Sequence, residues 1–306
     1  MEYRFRSPTL EDFEPIVELV RSVEVADYGE AEETAEDIGV AFKLMDPERD
    51  VWVIEDGEGK VVAVGAVRPR HPTRIRAFAL VSPAHRGRGI GTELAQRLEV
   101  RARQMAEAAP EGETVSLNQD TAPSNQAAKE LLERHGYELI RHFWKMGIDL
   151  ADEPAEPVWP EGIRLETMAP GQEREIFDAS EDAFQDHWGF VPHDYHEWRA
   201  WTVERPSFDP SLWLIARDGD EIAGISLCYV GEGEGWVGVL GVRRPWRKRG
   251  LGRALLLESL RELRRRGMPC GALGVDSENP TGATRLYERA GMHVENEDVM
   301  FEKDLT

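Results

Sequence analysis

Apolar residues in this chain recur first at every second position, in short runs, and then at every third or fourth, and the whole succession occurs twice. In the second half, residues 162–165 predict a short strand. Residues 171–184 carry Ile176, Phe177, Ala179 and Ala183 at helical spacing, and 193–203 predict a second helix. Strands at 212–216 and 221–229 flank Asp218-Gly219-Asp220, a hairpin turn. A strand at 236–242 precedes a long amphipathic helix at 250–266, with Leu251, Leu255, Leu256, Leu260 and Leu263 along one face. A strand at 270–275, a helix at 281–290 and a strand at 299–305 complete the half. The first half repeats the plan from 3–6 through 143–150. Front hairpins followed by alternating strands and helices predict an α+β fold, a mixed, mostly antiparallel sheet flanked by helices.

Residue identities carry the same repeat. Arg86, Gly89 and Gly91 recur as Arg247, Gly250 and Gly252 at an offset of 161. Asn125, Ala128, Leu131, Gly136 and Tyr137 correspond to Asn279, Ala283, Leu286, Gly291 and Met292, at offsets of 154 or 155. So long a period means that the copies are whole domains rather than solenoid repeats. Between them, ADEPAEPVWPE at 151–161 holds three prolines and four acidic residues and reads as an extended linker. The expected organisation is an N-terminal domain at 1–150, the linker, and a C-terminal domain at 162–306.

Charge narrows the classes of partner. Of the 306 residues, 37 are basic and 58 acidic, a formal net charge of −21. A surface of that sign repels nucleic acid and anionic membrane, so neither is expected as a partner. Cys228 and Cys270 form no disulfide framework, and neither has a CxxC partner, so no metal is expected. With no membrane-length apolar run and no apolar core in MEYRFRSPTLEDFE, a cytoplasmic location is expected, as a monomer or homodimer.

Against this acidity, residues 243–266 hold ten basic side chains and only Glu258 and Glu262, a net +8 that leaves −29 elsewhere. Arg243, Arg244, Arg247, Lys248, Arg249 and Arg253 gather where the strand meets the long helix. Gly250 and Gly252 let backbone N–H groups close on an anion there, and the helix N-terminus adds its positive dipole end. A diphosphate fits this arrangement. A dinucleotide fingerprint would need glycine where Leu255 and Leu94 stand, and a Walker loop would need Gly-Lys-Ser/Thr. Arg261, Arg264, Arg265 and Arg266 lie far down the helix and read as a solvated face or as partners of its C-terminal dipole.

An arginine-x-x-Gly-x-Gly turn between strand and helix resembles the acyl-CoA pyrophosphate loop of the GNAT superfamily of N-acetyltransferases. ENPTGATRLYERAGM, residues 278–292, resembles that superfamily's next motif. Both motifs occur in order in both halves, and tandem copies of this length resemble the mycothiol synthase type. The resemblance implies two tandem acyl-CoA N-acyltransferase domains, acetyl-CoA as co-substrate, and direct acetyl transfer to a primary amine in a ternary complex. It assigns coenzyme A to Leu240, Val242, Arg247, Lys248, Arg249, Gly250, Gly252, Arg253 and Asn279, with Arg86, Arg88, Gly89 and Gly91 as a second set in the first half. A backbone N–H near Leu240 would polarise the acyl carbonyl.

Acetyl transfer needs a neutral amine, a stabilised carbonyl oxygen and a partner for the departing thiolate. The superfamily places a tyrosine on the late helix for the thiolate. Tyr287 matches it, whereas the first half has Leu132 at that place, so the C-terminal half is expected to be catalytic and the N-terminal half not. No carboxylate lies on the strand WVGVLGV at 236–242; Glu234 just before it, Asp276 after the next strand, and Asp182, Asp186 and His187 between the first two helices are open candidates for the base. Asp186, His187 and Trp188 are also the expected acceptor-side residues for a small-molecule amine, while Trp198 and Trp201 read as helix-face core. Two alternatives stay open: a protein or peptide N-acetyltransferase, and a non-catalytic CoA-binding regulatory protein.

Overall fold

The computed structural model describes residues 2–231 and 233–305. It divides into two compact units, one running to His142 and resuming at Asp298, the other Phe143–Glu297. Unit 1 contains β1 (Arg4–Arg6), α1 (Phe13–Tyr28), α2 (Ala35–Lys43), β2 (Val51–Glu55), β3 (Val61–His71), β4 (Arg74–Val81), α3 (Ile90–Ala106), β5 (Ser116–Thr121) and α4 (Gln126–Arg134). After β6 (Glu138–Asp149), unit 2 contains β7 (Ile163–Thr167), α5 (Glu173–Phe184), α6 (Tyr195–Trp201), β8 (Trp213–Asp218), β9 (Glu221–Val230), β10 (Gly235–Val242), α7 (Leu251–Arg265), β11 (Cys270–Asp276) and α8 (Ala283–Arg289), followed by β12 (His293–Asp304).

Each unit is a mixed sheet covered on both faces, as the periodicity predicts. In unit 1 the strands run β1-β2-β3-β4-β5, antiparallel except for the parallel pair β4–β5. Ile16, Val20 and Val23 of α1 pack with Val53 and Val64 on one face; Leu94 and Leu98 of α3 pack with Ile75 and Leu117 on the other. Unit 2 repeats this as β7-β8-β9-β10-β11, with β10–β11 parallel. Leu255, Leu256, Leu260 and Leu263 of α7 are all buried, so the leucine stripe predicted at 250–266 does face the core. Trp198 packs against Phe177 and Trp213, with ring centroids at 5.4 and 5.8 Å, which makes it the core residue expected.

The last strand of each half serves the other unit. Residues 299–304 of β12 pair antiparallel with β5, and Val299, Phe301 and Leu305 join the unit 1 core. Residues 143–149 of β6 pair with β11, and Met146 and Leu150 join the unit 2 core. The compact units therefore depart from the domains expected at 1–150 and 162–306. An alternating strand satisfies its apolar face on any exposed sheet edge, and local pattern carries nothing that selects between two similar edges.

The segment 151–161 has no regular secondary structure, in keeping with a linker, yet it is fastened along α7. Arg261 donates to the Pro154 carbonyl at 2.9 Å and pairs with Glu153 at 2.6 Å; Arg264 donates to the Leu150 carbonyl at 3.0 Å. These two arginines are linker anchors rather than a solvated face. Arg265 and Arg266 pair with Glu258 and Glu262, which the +8 already counts, and Arg266 also pairs with Asp209 from outside the segment.

Phe301→Ala should destabilise unit 1 by about 3–5 kcal/mol. Hydrogen exchange should then quicken in β5 and not in β11. Equal acceleration in β11 would contradict the assignment of β12 to unit 1.

Candidate active site

The site is built where two parallel strands part. β10 and β11 pair only at Gly235–Gly271 and Trp236–Ala272, and a bulge interrupts β10 between Val237 and Val239. Beyond Trp236 no register with β11 continues, so a gap opens toward the C-terminal ends. Arg243 N donates to Ala223 O at 3.0 Å, and the antiparallel alternation then turns the N–H groups of Gly241 and Val239 toward β9. Those of Leu240 and Val242 face the gap. This geometry suits the carbonyl-polarising role expected near Leu240.

At the head of the gap lies the glycine turn. Gly250 has φ +88°, with open space where a Cβ would be, so it is needed for its left-handed conformation. Gly252 has room for a side chain: a Cβ there would make ordinary contacts, 3.5 Å from Leu286 of α8 and from Val242. The helix ladder starts with Ala254 N on Gly250 O, and α7 has no side-chain cap. Among the described residues the N–H groups of 248–253 therefore find no acceptor, a cradle for an anion on a helix N-terminus. Lys248 has φ +61° and is the positive-φ non-glycine among the described residues. A side chain in that region costs about 1–2 kcal/mol; the first copy places Gly87 there. Lys248 and Arg253 make no ion pair or side-chain hydrogen bond among the described residues.

Arg247 is employed differently from the sequence expectation that its charge grips the diphosphate. Its guanidinium donates to Val242 O at 2.9 Å, to Ala183 O at 2.9 Å and to Asp186 at 2.7 Å. Arg244 also pairs with Asp186, and the two guanidiniums hold that carboxyl well below the usual carboxylate range. Arg243 pairs with Asp182. Arg249 reaches Glu161 O at 3.4 Å at the end of the linker. Unit 1 has the same clamp, with Arg86 on Val81 O at 3.3 Å and on both oxygens of Asp27 at 2.7 and 2.8 Å. The turn arginine thus ties strand end, turn and front helix together in both copies.

The late helices end alike. Tyr137 N donates to Leu132 O and Met292 N to Tyr287 O, both at 3.1 Å, so Leu132 and Tyr287 are structural equivalents. The offset change from 154 to 155 is absorbed before α8, where Asn279 accepts from Thr281 N at 2.9 Å; Asn125 instead caps α4 through Ala128 N at 3.1 Å. Tyr287 is 8 % exposed, follows the residue that touches Gly252, and packs with Val237 of β10 and Val275 of β11. Burial pushes its phenol up to about 12.

Unit 1 fills the corresponding space with charge. By strand register, Trp236 on β10 and Gly274 on β11 correspond to Arg76 on β4 and Asp120 on β5, which form an ion pair. Tyr28 donates to Asp298. β4 keeps unbroken register with β3 from Ala63–Val81 to Pro69–Ile75, without the bulge of β10. Its glycine turn retains the conformation, with Gly87 and Gly89 at φ +73° and +86° and the ladder starting from Glu93 N on Gly89 O.

The acetyltransferase (GNAT) family pattern matches residues 14–137 and 174–292. The chain belongs to the acetyltransferase (GNAT) family. The mycothiol acetyltransferase of Streptomyces scabiei is 31 % identical over 235 residues, 74 % of this chain and 71 % of that protein. A GCN5-related N-acetyltransferase from Sphaerobacter thermophilus superposes with TM-score 0.84 at 35 % identity, covering 99 % of this chain and 96 % of that one. A tandem GNAT protein from the clavulanic acid biosynthesis pathway shares the fold, with TM-score 0.75 at 18 % identity and coverage of 100 % and 99 %. Tandem GNAT domains are therefore the architecture of this chain, and its activity is that of an N-acetyltransferase.

Not every residue expected at the GNAT centre is there. Glu234 sits at the paired end of β10, eight residues before Val242 and so about 26 Å along the strand. Its carboxylate is 3.3 Å from Lys145 and 3.8 Å from the Cys270 thiol. Asp276 closes β11 and accepts from Glu278 N at 2.9 Å. His187 and Trp188 are half-buried in the turn after α5, and Asp186 belongs to the clamp. Among the described residues no helix is long and apolar enough to cross a membrane. The Asp27–Arg86 clamp and its copy went unnoticed in the sequence, although Asp-Tyr at 27–28 and Asp-His at 186–187 precede the two motif arginines by nearly equal intervals, 59 and 61 residues.

Gly250→Ala should cost about 1–2 kcal/mol through its backbone conformation alone, since nothing crowds a Cβ there. Gly252→Ala should stay within about 0.5 kcal/mol of the parent. Urea unfolding of both variants checks the order.

Proposed function

We propose that unit 2 moves the acetyl group of acetyl-CoA to a primary amine of a small molecule by direct attack in a ternary complex. The observation that carries this reading is the run of unbonded N–H groups at 248–253, flanked by the uncommitted Lys248 and Arg253 and opening on the gap beside β10. The cradle suits the diphosphate of coenzyme A. The arm would then run into the gap, whose Val237 and Val275 suit an apolar chain, and the Leu240 N–H would meet the acyl oxygen as charge develops on it. Relatives named mycothiol acetyltransferase support a small-molecule acceptor.

Tyr287 acts on the leaving thiolate. With its phenol near 12 against about 8.5 for a thiol, complete proton transfer before C–S cleavage would be uphill by roughly 5 kcal/mol. The phenol therefore donates a hydrogen bond to the developing thiolate, and the proton follows late. Unit 1 lacks this group, has Gly87 and Thr92 in place of Lys248 and Arg253, and carries Arg76–Asp120 in its gap. We assign it diphosphate binding without acetyl transfer.

Calorimetry with acetyl-CoA and a panel of amines read by mass shift test this reading. Tyr287→Phe should keep acetyl-CoA affinity and lower turnover by about tenfold or more; unchanged turnover would remove its role. The double exchange Lys248→Gly with Arg253→Thr, which copies unit 1, should weaken coenzyme A binding by about tenfold while thermal stability holds or rises. Undiminished affinity would move the diphosphate away from this turn.

A further inference from the structure

The proposed reaction releases a proton from the attacking nitrogen, and β10 offers no carboxylate to take it. Glu234, the nearest in sequence, is at the closed end of the gap beside Lys145. We propose that His187 is the general base of unit 2; this rests on the acetyl-transfer reading above.

Position carries the assignment. Asp186 is fastened to Arg247 at 2.7 Å, and Arg247 is fastened to the last carbonyl of β10, so the following residue is held at the open end of the strand. His187 N donates to Phe184 O at 2.8 Å, and the two rings lie 4.5 Å apart. Phe184 in turn rests on Gly241, where a Cβ would come within 3.1 Å of its ring. The imidazole is thus one ring removed from β10, beside the residue whose neighbour Leu240 turns its N–H into the gap. It senses the charges of Arg247 at the end of β10, Asp276 at the end of β11, and Asp186 in its own turn. The repeat agrees. Tyr28 follows Asp27 as His187 follows Asp186, and the Tyr28 hydroxyl reaches Asp298 beside the charged gap of unit 1. Two residues able to handle protons, His187 and Tyr287, thus occur in unit 2 where unit 1 has the hydrogen-bonded Tyr28 and Leu132.

Burial and Arg247 lower the imidazole below its ordinary 6.5, so it is neutral and ready to accept at pH 7. In the step, nitrogen bonds to the acyl carbon and the C–S bond breaks. His187 takes the proton from nitrogen, and the sulfur gains one from Tyr287, which solvent restores as the imidazolium releases its own.

The test uses the full chain with acetyl-CoA and glycinamide as the amine. His187→Gln should lower kcat by about a hundredfold or more while leaving the acetyl-CoA Kd unchanged. It should also remove one of the two proton dependences expected on the acid limb of wild-type kcat/KM below pH 6.5, the other being protonation of the amine itself. A merely structural histidine would leave that limb unchanged. An acceptor-free measurement runs alongside: the imidazole carbon signal, assigned by its loss in His187→Gln, should titrate below 6.5 and shift on adding acetyl-CoA. A variant that keeps both rate and limb, or a signal indifferent to acetyl-CoA in a protein that binds it, would overturn the assignment. Failure of wild-type protein to bind acetyl-CoA would instead strike the acetyl-transfer reading itself.

Discussion

The architecture of the site depends on a parallel strand pair that is allowed to fail. β10 and β11 share two residue pairs and then separate, with a bulge in β10 just past the last of them. Unpaired strand edges inside a protein are costly, because every exposed N–H and carbonyl loses a partner. Here the vacated groups lie next to a helix N-terminus whose N–H groups are also unbonded. The two deficits combine into one elongated slot, suited to a ligand with a diphosphate at one end and a carbonyl at the other.

Duplication makes the functional differences readable. Both units keep the glycine turn, the arginine clamp and the parting strands, so these belong to the scaffold. What differs is chemistry: Trp236 against Arg76, Gly274 against Asp120, Tyr287 against Leu132, Lys248 against Gly87. Unit 1 has an ion pair where unit 2 has a tryptophan beside a glycine. The strain at Lys248 fits the same pattern, since a side chain is held in a conformation that its counterpart reaches at no cost as glycine.

The clamp links the two sides of the slot. Arg247 binds three separate pieces of chain, namely the end of β10, the end of α5 and Asp186. A change on the acceptor-side turn therefore reaches the cofactor turn through one guanidinium. That accounts for an arginine at this motif position in each half, with its donors committed to a strand-end carbonyl and an aspartate.

Much of this was legible in the linear chain because it is local. Glycine spacing, leucine periodicity and the offset between Leu132 and Tyr287 are properties of neighbouring residues, and they determined the helices, the two glycine turns and the half that carries the phenol. Three features were decided only by tertiary structure. Arg247 looked like a phosphate ligand because sequence shows a charge but not the carboxylate and carbonyls that consume it. Glu234 looked close to the site because sequence distance is short, whereas an extended strand turns eight residues into a long separation. β6 and β12 were assigned to their own halves because an alternating strand has two equivalent edges available; the choice rests on packing of residues such as Phe301 and Met146, more than a hundred residues from the strands they complete.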